Sequence, residues 1–477
     1  MDKKAFYLLC RPEWHYELST LIRQVYPFAK IEAEPQPDMD GIRIAEDGCA
    51  AVLYDASGQL RKRVQREERF AFPGEPEKNY AKQALYELLA DPQPWGILTG
   101  VRPSKVVYAF LEAGRSAEEI TEILIREYCL RPDKARLAVT VAQREHALLR
   151  DHCGTDVSLY IGIPFCPTRC SYCSFISNDS RAYAKWGEAY CEALEKEIRA
   201  CAPLISRRRL QSFYMGGGTP TTLTAEQLDR ILSAAETAFD FSWLREITVE
   251  AGRPDTITTE KLRVLQAHGV NRISINPQTM NQATLDRIGR KHRVEQIGEA
   301  FEAARRIGFP VINMDFILGL PGEEAAQVER SMAAVRQLAP ENLTIHTLAV
   351  KRASIMNETG AIPDLRRQAD QIEQMLAITS RTAEELDMQP YYMYRQKNMA
   401  GNFENVGYSL PGREGLYNIE IMEERQTILA LGAGGVTKLY IPEQNRIERI
   451  PNVKTAEEYV RRIDEMIERK RKGGIDQ

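Results

Sequence analysis

From Val157 onward the chain alternates short, apolar, β-rich segments with longer stretches in which apolar residues recur at helical spacing. The segments Leu159–Ile163, Ser212–Met215, Ile247–Glu250, Arg272–Ile275, Val311–Leu318 and Leu343–Leu348 predict strands. Stretches such as Tyr183–Ala200, Ala225–Phe239 and Glu323–Leu338 predict the helices that follow them. Parallel strands joined by helices give an α/β fold, read here as a partial (β/α)6 barrel over residues 156–350, with its chemistry at the C-terminal strand ends. A doubly wound open sheet is the alternative that the same pattern allows.

The rhythm differs on either side. Residues 1–155 open with a β-like segment, turn rich around Glu34–Gly41, pass through the charged run Arg61–Arg69 and continue as helices to Arg150, which predicts a separate N-terminal α+β domain. Within it, Leu98-Thr-Gly-Val-Arg-Pro103 reads either as an Arg-bearing site loop or as a structural turn ahead of a helix over Ser104–Glu112. Residues 351–477 form a C-terminal accessory region, glycine- and aromatic-rich from Gly401 to Gly435 and ending in a charged helix, Thr455–Arg471.

Composition narrows the setting. With 43% hydrophobic and 27% charged residues the chain is that of an ordinary folded protein. A formal charge of −4 favours neither nucleic acid nor an anionic membrane surface. The short apolar run before Arg11 and Glu13 is neither a signal peptide nor a spanning helix, and no later segment approaches about 18 uninterrupted apolar residues. Of nine cysteines only Cys166, Cys170 and Cys173 cluster; the odd number and the scatter of the others speak against a disulfide framework and for a reducing, cytoplasmic setting.

Cys166-Pro-Thr-Arg-Cys170-Ser-Tyr-Cys173 follows directly on the apolar strand Leu159–Ile163, so one loop can wrap one metal centre. A 4Fe–4S cube takes four ligands; three thiolates leave one iron open to an exogenous ligand, such as the amino and carboxylate groups of S-adenosylmethionine (SAM). A structural zinc site or three unrelated core cysteines are the alternatives, but zinc usually takes four protein ligands and no second C-x-x-C knuckle is present.

The Cys-x3-Cys-x2-Cys spacing after a first strand, with Tyr172 before the third cysteine, resembles the radical SAM superfamily signature. Tyr214-Met-Gly-Gly-Gly-Thr-Pro220 resembles the family's GGGTP element, whose glycines let backbone approach the ligand with amides free for its methionine moiety; Gly217, Gly218 and Thr219 are the expected contacts. Glu250 at the end of the third strand is a further polar candidate for SAM. The stretches from Ser274 to Arg290 and from Asp315 to Gly322 resemble the oxygen-independent coproporphyrinogen III oxidase branch, and within it the HemZ-type group. That likeness implies SAM contacts from Tyr160, Gln278, Arg290 and Asp315.

Two departures qualify it. Phe175 stands where the well-studied oxidases have a fourth cysteine. The sister haem chaperones share a Phe there but carry a His-Asn-x-x-Tyr-Trp motif, where this chain reads Tyr417-Asn-Ile-Glu-Ile-Met422. Tyr391-Tyr-Met-Tyr-Arg-Gln-Lys397 offers aromatic surface and two cations, Arg395 and Lys397, to a propionate-bearing tetrapyrrole, or else is an amphipathic strand. The resemblance implies a 4Fe–4S cluster, SAM, a tetrapyrrole substrate and an electron donor such as flavodoxin or ferredoxin. The expected reaction is oxidative decarboxylation of coproporphyrinogen III to protoporphyrinogen IX. Haem trafficking, or radical chemistry on another substrate such as tRNA, are the alternatives.

Overall fold

The structure, a computed structural model, describes residues 4–67, 72, 75–173, 178–349, 368–396 and 399–475. It divides into two compact units, Met1–His146 with Met393–Glu404, and Ala147–Tyr392 with Asn405–Gln477.

In the first unit, strands β1 (Ala5–Leu9), β2 (Lys30–Glu32), β3 (Asp40–Ile44), β4 (Ala50–Tyr54) and β5 (Leu60–Gln65) form a sheet in the order β2-β1-β3-β4-β5. Alternation along β1 buries Phe6 and Leu8. Helices α1 (His15–Val25) and α2 (Pro76–Leu89) add Leu18, Leu21, Ile22, Ala84 and Leu85 to the same core. Helices α3 (Ser104–Glu112), α4 (Ala117–Arg126) and α5 (Pro132–Leu148) follow; Ser116 and Glu119 close a capping box at the start of α4.

The segment Met393–Glu404 belongs to this unit, and that corrects the reading of Arg395 as a substrate cation. Arg395 is buried, donates through Nη1 to the Leu98 carbonyl at 2.6 Å and lies over the Trp95 ring at 5.7 Å. Its own amide donates to the Val101 carbonyl at 2.7 Å. The Leu98–Pro103 run is thus the structural turn before α3, its Leu98 carbonyl taking the guanidinium and its Val101 carbonyl the Arg395 backbone amide. Lys397 lies outside the described residues.

In the second unit the six predicted strands appear as β6 (Asp156–Ile163), β7 (Arg209–Gly217), β8 (Glu246–Glu250), β9 (Arg272–Ser274), β10 (Val311–Leu318) and β11 (Asn342–Thr347), parallel from neighbour to neighbour. Their near-continuous burial is what strands covered on both faces require. The covering helices include α6 (Ser180–Cys201), α7 (Ala225–Ala238), α8 (Thr259–Ala267), α9 (Gln282–Arg287), α10 (Val294–Ile307), α11 (Ala325–Leu338) and α12 (Ala369–Glu385). Asp179 caps α6 and the Thr224–Gln227 box opens α7.

The C-terminal residues do not fold as a body of their own. Strands β12 (Gln389–Tyr394) and β13 (Asn405–Ser409) extend one flank of the sheet, and β14 (Thr427–Leu431), β15 (Val436–Ile441) and β16 (Arg446–Pro451) the other, in the order β12-β13-β11-β10-β9-β8-β7-β6-β14-β15-β16. An unclosed parallel sheet leaves unpaired N–H and C=O groups along both edges, and these flanks pair them. Helix α13 (Leu416–Glu423) precedes β14, and α14 (Ala456–Arg461) and α15 (Ile463–Lys472) pack on α6. There the buried Lys470 donates to Glu197 of α6 at 2.8 Å, while Glu197 also accepts from the Gly432 amide at 2.7 Å and from the Tyr459 hydroxyl. No helix among the described residues is long and apolar enough to cross a membrane.

Candidate cluster and cofactor site

The loop after β6 carries the three clustered cysteines. Its course is held by backbone: the Cys166 amide donates to Asn178 at 2.9 Å, the Asn178 amide to Pro164 at 2.7 Å, and the Cys173 amide to Cys170 at 3.1 Å. The loop following α9 grips it from outside, through Ser171 N to Ile288 O at 3.0 Å and Thr168 Oγ1 to Gly289 O at 2.9 Å. Cys170 is buried and Cys166 and Cys173 are half-buried; none of the nine cysteines is in a disulfide. Phe175 lies outside the described residues.

No group of three His, Cys, Asp or Glu among the described residues converges as a single metal ion demands. A cube spreads its thiolates over three irons, which suits three cysteines carried on one loop. Positive charge lies on the same side: Nη1 of buried Arg253 is 3.8 Å from Cys170 Sγ. Burial alone would lower the pKa of Arg290, but the negative forms of Tyr172 and Cys170 push it upward. A donor set of three thiols compensated by buried guanidinium groups fits a 4Fe–4S cluster.

The glycine segment at the end of β7 has a different job from the one its sequence suggests. The amides of Gly218 and Thr219 donate to the carbonyls of Ile163 and Phe165, each at 2.7 Å, and the Gly217 amide serves the Glu250 carboxylate. The Gly218 and Thr219 amides therefore knit β7 to the end of β6 and to the cluster loop, and the Gly217 amide ties it to β8, so none of the three is left for a ligand. A Cβ at Gly218 would stand 2.6 Å from the Phe165 carbonyl, and Gly217 has φ +104°, so only glycine permits this approach. Thr219 Oγ1 lies 3.4 Å from Cys166 Sγ, next to the cluster loop.

Further along the strand ends, Tyr160 of β6, Tyr214 of β7 and Tyr417 of α13 form a stack, with Tyr214 and Tyr417 centroids 4.4 Å apart. Tyr214 donates to Glu250 Oε1 at 2.6 Å. Burial pushes the Glu250 carboxyl up to about 7; the Tyr214 hydrogen bond opposes this and the Asp315 charge adds to it. Burial raises Asp315 too, but His346, Asn313 and Thr344 together hold it below its ordinary range, with Asn313 Nδ2 at 2.7 Å. Two carboxyls on neighbouring parts of one strand-end surface are thus tuned in opposite directions.

Gln278 has φ 70°, and its backbone bridges to β10 through the Asp315 carbonyl at 2.9 Å and the Ile317 amide at 3.0 Å. Its side-chain Oε1, like Oδ1 of Asn276, is buried without a hydrogen-bond partner. Orphaned acceptors beside Glu250 and Asp315 suit a ligand bearing hydroxyl and ammonium donors, as SAM does. Arg290 is committed to the carbonyls of Asn276 and Gly252 as well as facing Cys170. Arg253, Tyr417, His346 and Asn276 were not found from sequence. A signal was present for Arg253, a lone arginine just past the end of β8; Tyr417 joins through a helix far along the chain and left none.

Residues 160–335 match the Radical SAM superfamily. The chain is 41% identical over 388 residues to the oxygen-independent coproporphyrinogen-III oxidase-like protein HemZ of Bacillus subtilis (strain 168), covering 79% of this chain and 76% of that protein. It is 36% identical over 199 residues to the heme chaperone HemW of the same organism, spanning 42% of this chain and about half, 52%, of the chaperone. Among solved structures, coproporphyrinogen III oxidase (HemN) from Escherichia coli shares the fold with a TM-score of 0.54 at 24% identity, over 68% of this chain and 73% of that one.

Proposed function

Because the chain belongs to the oxygen-independent coproporphyrinogen-III oxidase-like family of radical SAM proteins, with a 4Fe–4S cluster and SAM as its cofactors, we propose that it oxidatively decarboxylates coproporphyrinogen III to protoporphyrinogen IX. When bound, the two cofactors supply the one-electron cleavage that makes a hydrogen-abstracting radical, which no side chain can provide. Cys166, Cys170 and Cys173 hold the cluster. Tyr160, Glu250, Gln278 and Asp315 line the SAM side, where carboxylate and amide oxygens accept from hydroxyl and ammonium groups. The stacked rings of Tyr160, Tyr214 and Tyr417 would give that side a rigid aromatic wall from which water is excluded.

The observation that carries this reading over haem trafficking is α13. The segment that stands in place of the chaperones' haem motif contains neither histidine nor cysteine. Burial raises the Tyr417 pKa well above its ordinary value, which disfavours the phenolate that iron ligation requires. The test is anaerobic incubation of the reconstituted protein with dithionite, SAM and coproporphyrinogen III, read by mass spectrometry for loss of two CO2 and for 5′-deoxyadenosine. Both products, abolished in Cys170→Ala, are expected. Deoxyadenosine without decarboxylation would point to another substrate; neither product, together with stoichiometric haem in a titration, would favour trafficking.

A further inference from the structure

Arg253 is a buried arginine, 3% exposed, whose fork serves two different parties. Nε and Nη2 grip Asp255 with both carboxylate oxygens at 3.1 Å. Nη1 turns the other way, donating to Thr168 Oγ1 at 3.1 Å and to Cys170 Sγ at 3.8 Å. The backbone behind it is pinned, its carbonyl accepting from the amide of Thr256 at 2.9 Å and from the hydroxyl at 2.8 Å. A guanidinium placed only to satisfy Asp255 has no reason to aim its remaining N–H at a thiol. Here a planar, permanently charged group is fixed so that one edge faces the carboxylate and the opposite end faces sulfur.

We propose that Arg253 is a positioning residue for the cluster, raising its reduction potential through the hydrogen bond to Cys170, and that Asp255 sets how much of that positive charge the cluster senses. Reduction adds one electron to a group whose sulfurs already carry negative charge. A charge-assisted N–H···S bond stabilises the added charge and makes the electron easier to accept, whereas a carboxylate behind the guanidinium offsets part of that field. The two residues therefore act in opposite senses on one quantity. The inference depends on the cluster and not on the substrate proposed above, so absence of decarboxylation leaves it standing.

The experiment is a potentiometric titration of reconstituted full-length protein, followed by electron paramagnetic resonance, with iron and sulfide content measured on each sample. Arg253→Gln is expected to move the midpoint to more negative potential. Asp255→Asn, which keeps a hydrogen-bonding partner for the guanidinium but removes its compensating charge, is expected to move it to more positive potential. A merely structural clamp would not give shifts of opposite sign. Should Arg253→Gln fail to retain iron, Asp255→Asn and Arg253→Lys decide, the latter expected to titrate below the unsubstituted protein because a point charge cannot keep the two-ended grip. Wild-type midpoints in the variants that carry a full iron load, or a positive shift on loss of Arg253, overturn the proposal.

Discussion

Two carboxyls of the second unit, Glu250 on β8 and Glu420 on α13, are alike in charge and unlike in company. Burial pushes each up to about 7. Glu420, on α13, accepts from the hydroxyls of Ser158 and Ser212, the latter at 2.7 Å, and its neighbour Gln426 donates to Ser158 at 2.7 Å. Ser158 and Ser212 are paired in register, and two residues further on so are Tyr160 and Tyr214, the latter donating to Glu250. The two carboxyls thus occupy adjacent layers of one interior, with the tyrosine stack joining them. Glu420 is 1% exposed and its bonded oxygen sees protein hydroxyls. Glu250 is half-buried at the strand ends, beside the orphaned acceptors of Gln278 and Asn276. A raised carboxyl pKa marks burial; what lies on the open side decides whether the group belongs to a site.

The contrast yields expectations that separate the layers. The largest concerns Glu250→Gln, which is expected to weaken SAM binding roughly 10- to 100-fold by equilibrium dialysis, as loss of a charge-assisted acceptor does. In the unsubstituted protein, binding should strengthen as pH rises through about 7, where the carboxyl ionises. Equal affinity in the variant would erase the distinction between the layers.

Glu420→Gln should leave SAM binding unchanged and alter stability instead. The folded-state value near 7 lies above the ordinary 4.5, so the native protein holds this proton more tightly than the unfolded chain, and stability falls as pH rises from about 4.5 to about 7. The amide removes that penalty. Denaturant titration should show it more stable than the unsubstituted protein by about 3 kcal/mol at pH 8 and no different at pH 4.

The smallest effect belongs to Tyr214→Phe, which keeps the ring stack and deletes one hydrogen bond to Glu250. A loss of about 1 kcal/mol in unfolding free energy is expected above pH 7. Because the tyrosine hydroxyl holds the Glu250 pKa down, its removal should also move the midpoint of pH-dependent SAM binding upward; a downward move would contradict the assigned donor direction.

How much of this was legible in the sequence depends on the range of each interaction. The six parallel strands were readable because apolar continuity and helical spacing are local properties, and the cysteine loop because its three thiols lie within one turn-rich stretch. The glycine run was readable as a close approach but not as to what: its amides meet carbonyls of the loop after β6, more than fifty positions earlier. Arg253 gained its meaning from Cys170 on a different loop. Arg395 misled because an amphipathic aromatic segment with cations looks the same whether it borders a substrate or, as in this fold, crosses a core lined by Trp95 and Glu404. The role of residues 405–477 as flanks of the sheet followed from the pairings of β13 with β11, about 60 positions away, and of β14 with β6, 270 positions away, which periodicity cannot encode.

The pairing of β6 with β14 also imposes an order in time. β6 launches the cysteine loop and is among the first parts of its unit to leave the ribosome, yet its outer edge pairs with Thr427–Leu431, and Lys470 anchors the helix alongside. A nascent chain can fold β7 to β11 behind it but keeps that edge bare until β14, about 270 positions further along, has been made. Thiols presented before that pairing is made would sit on a strand without its neighbour, and loss of Thr427–Leu431 would leave the cysteine loop in the same state.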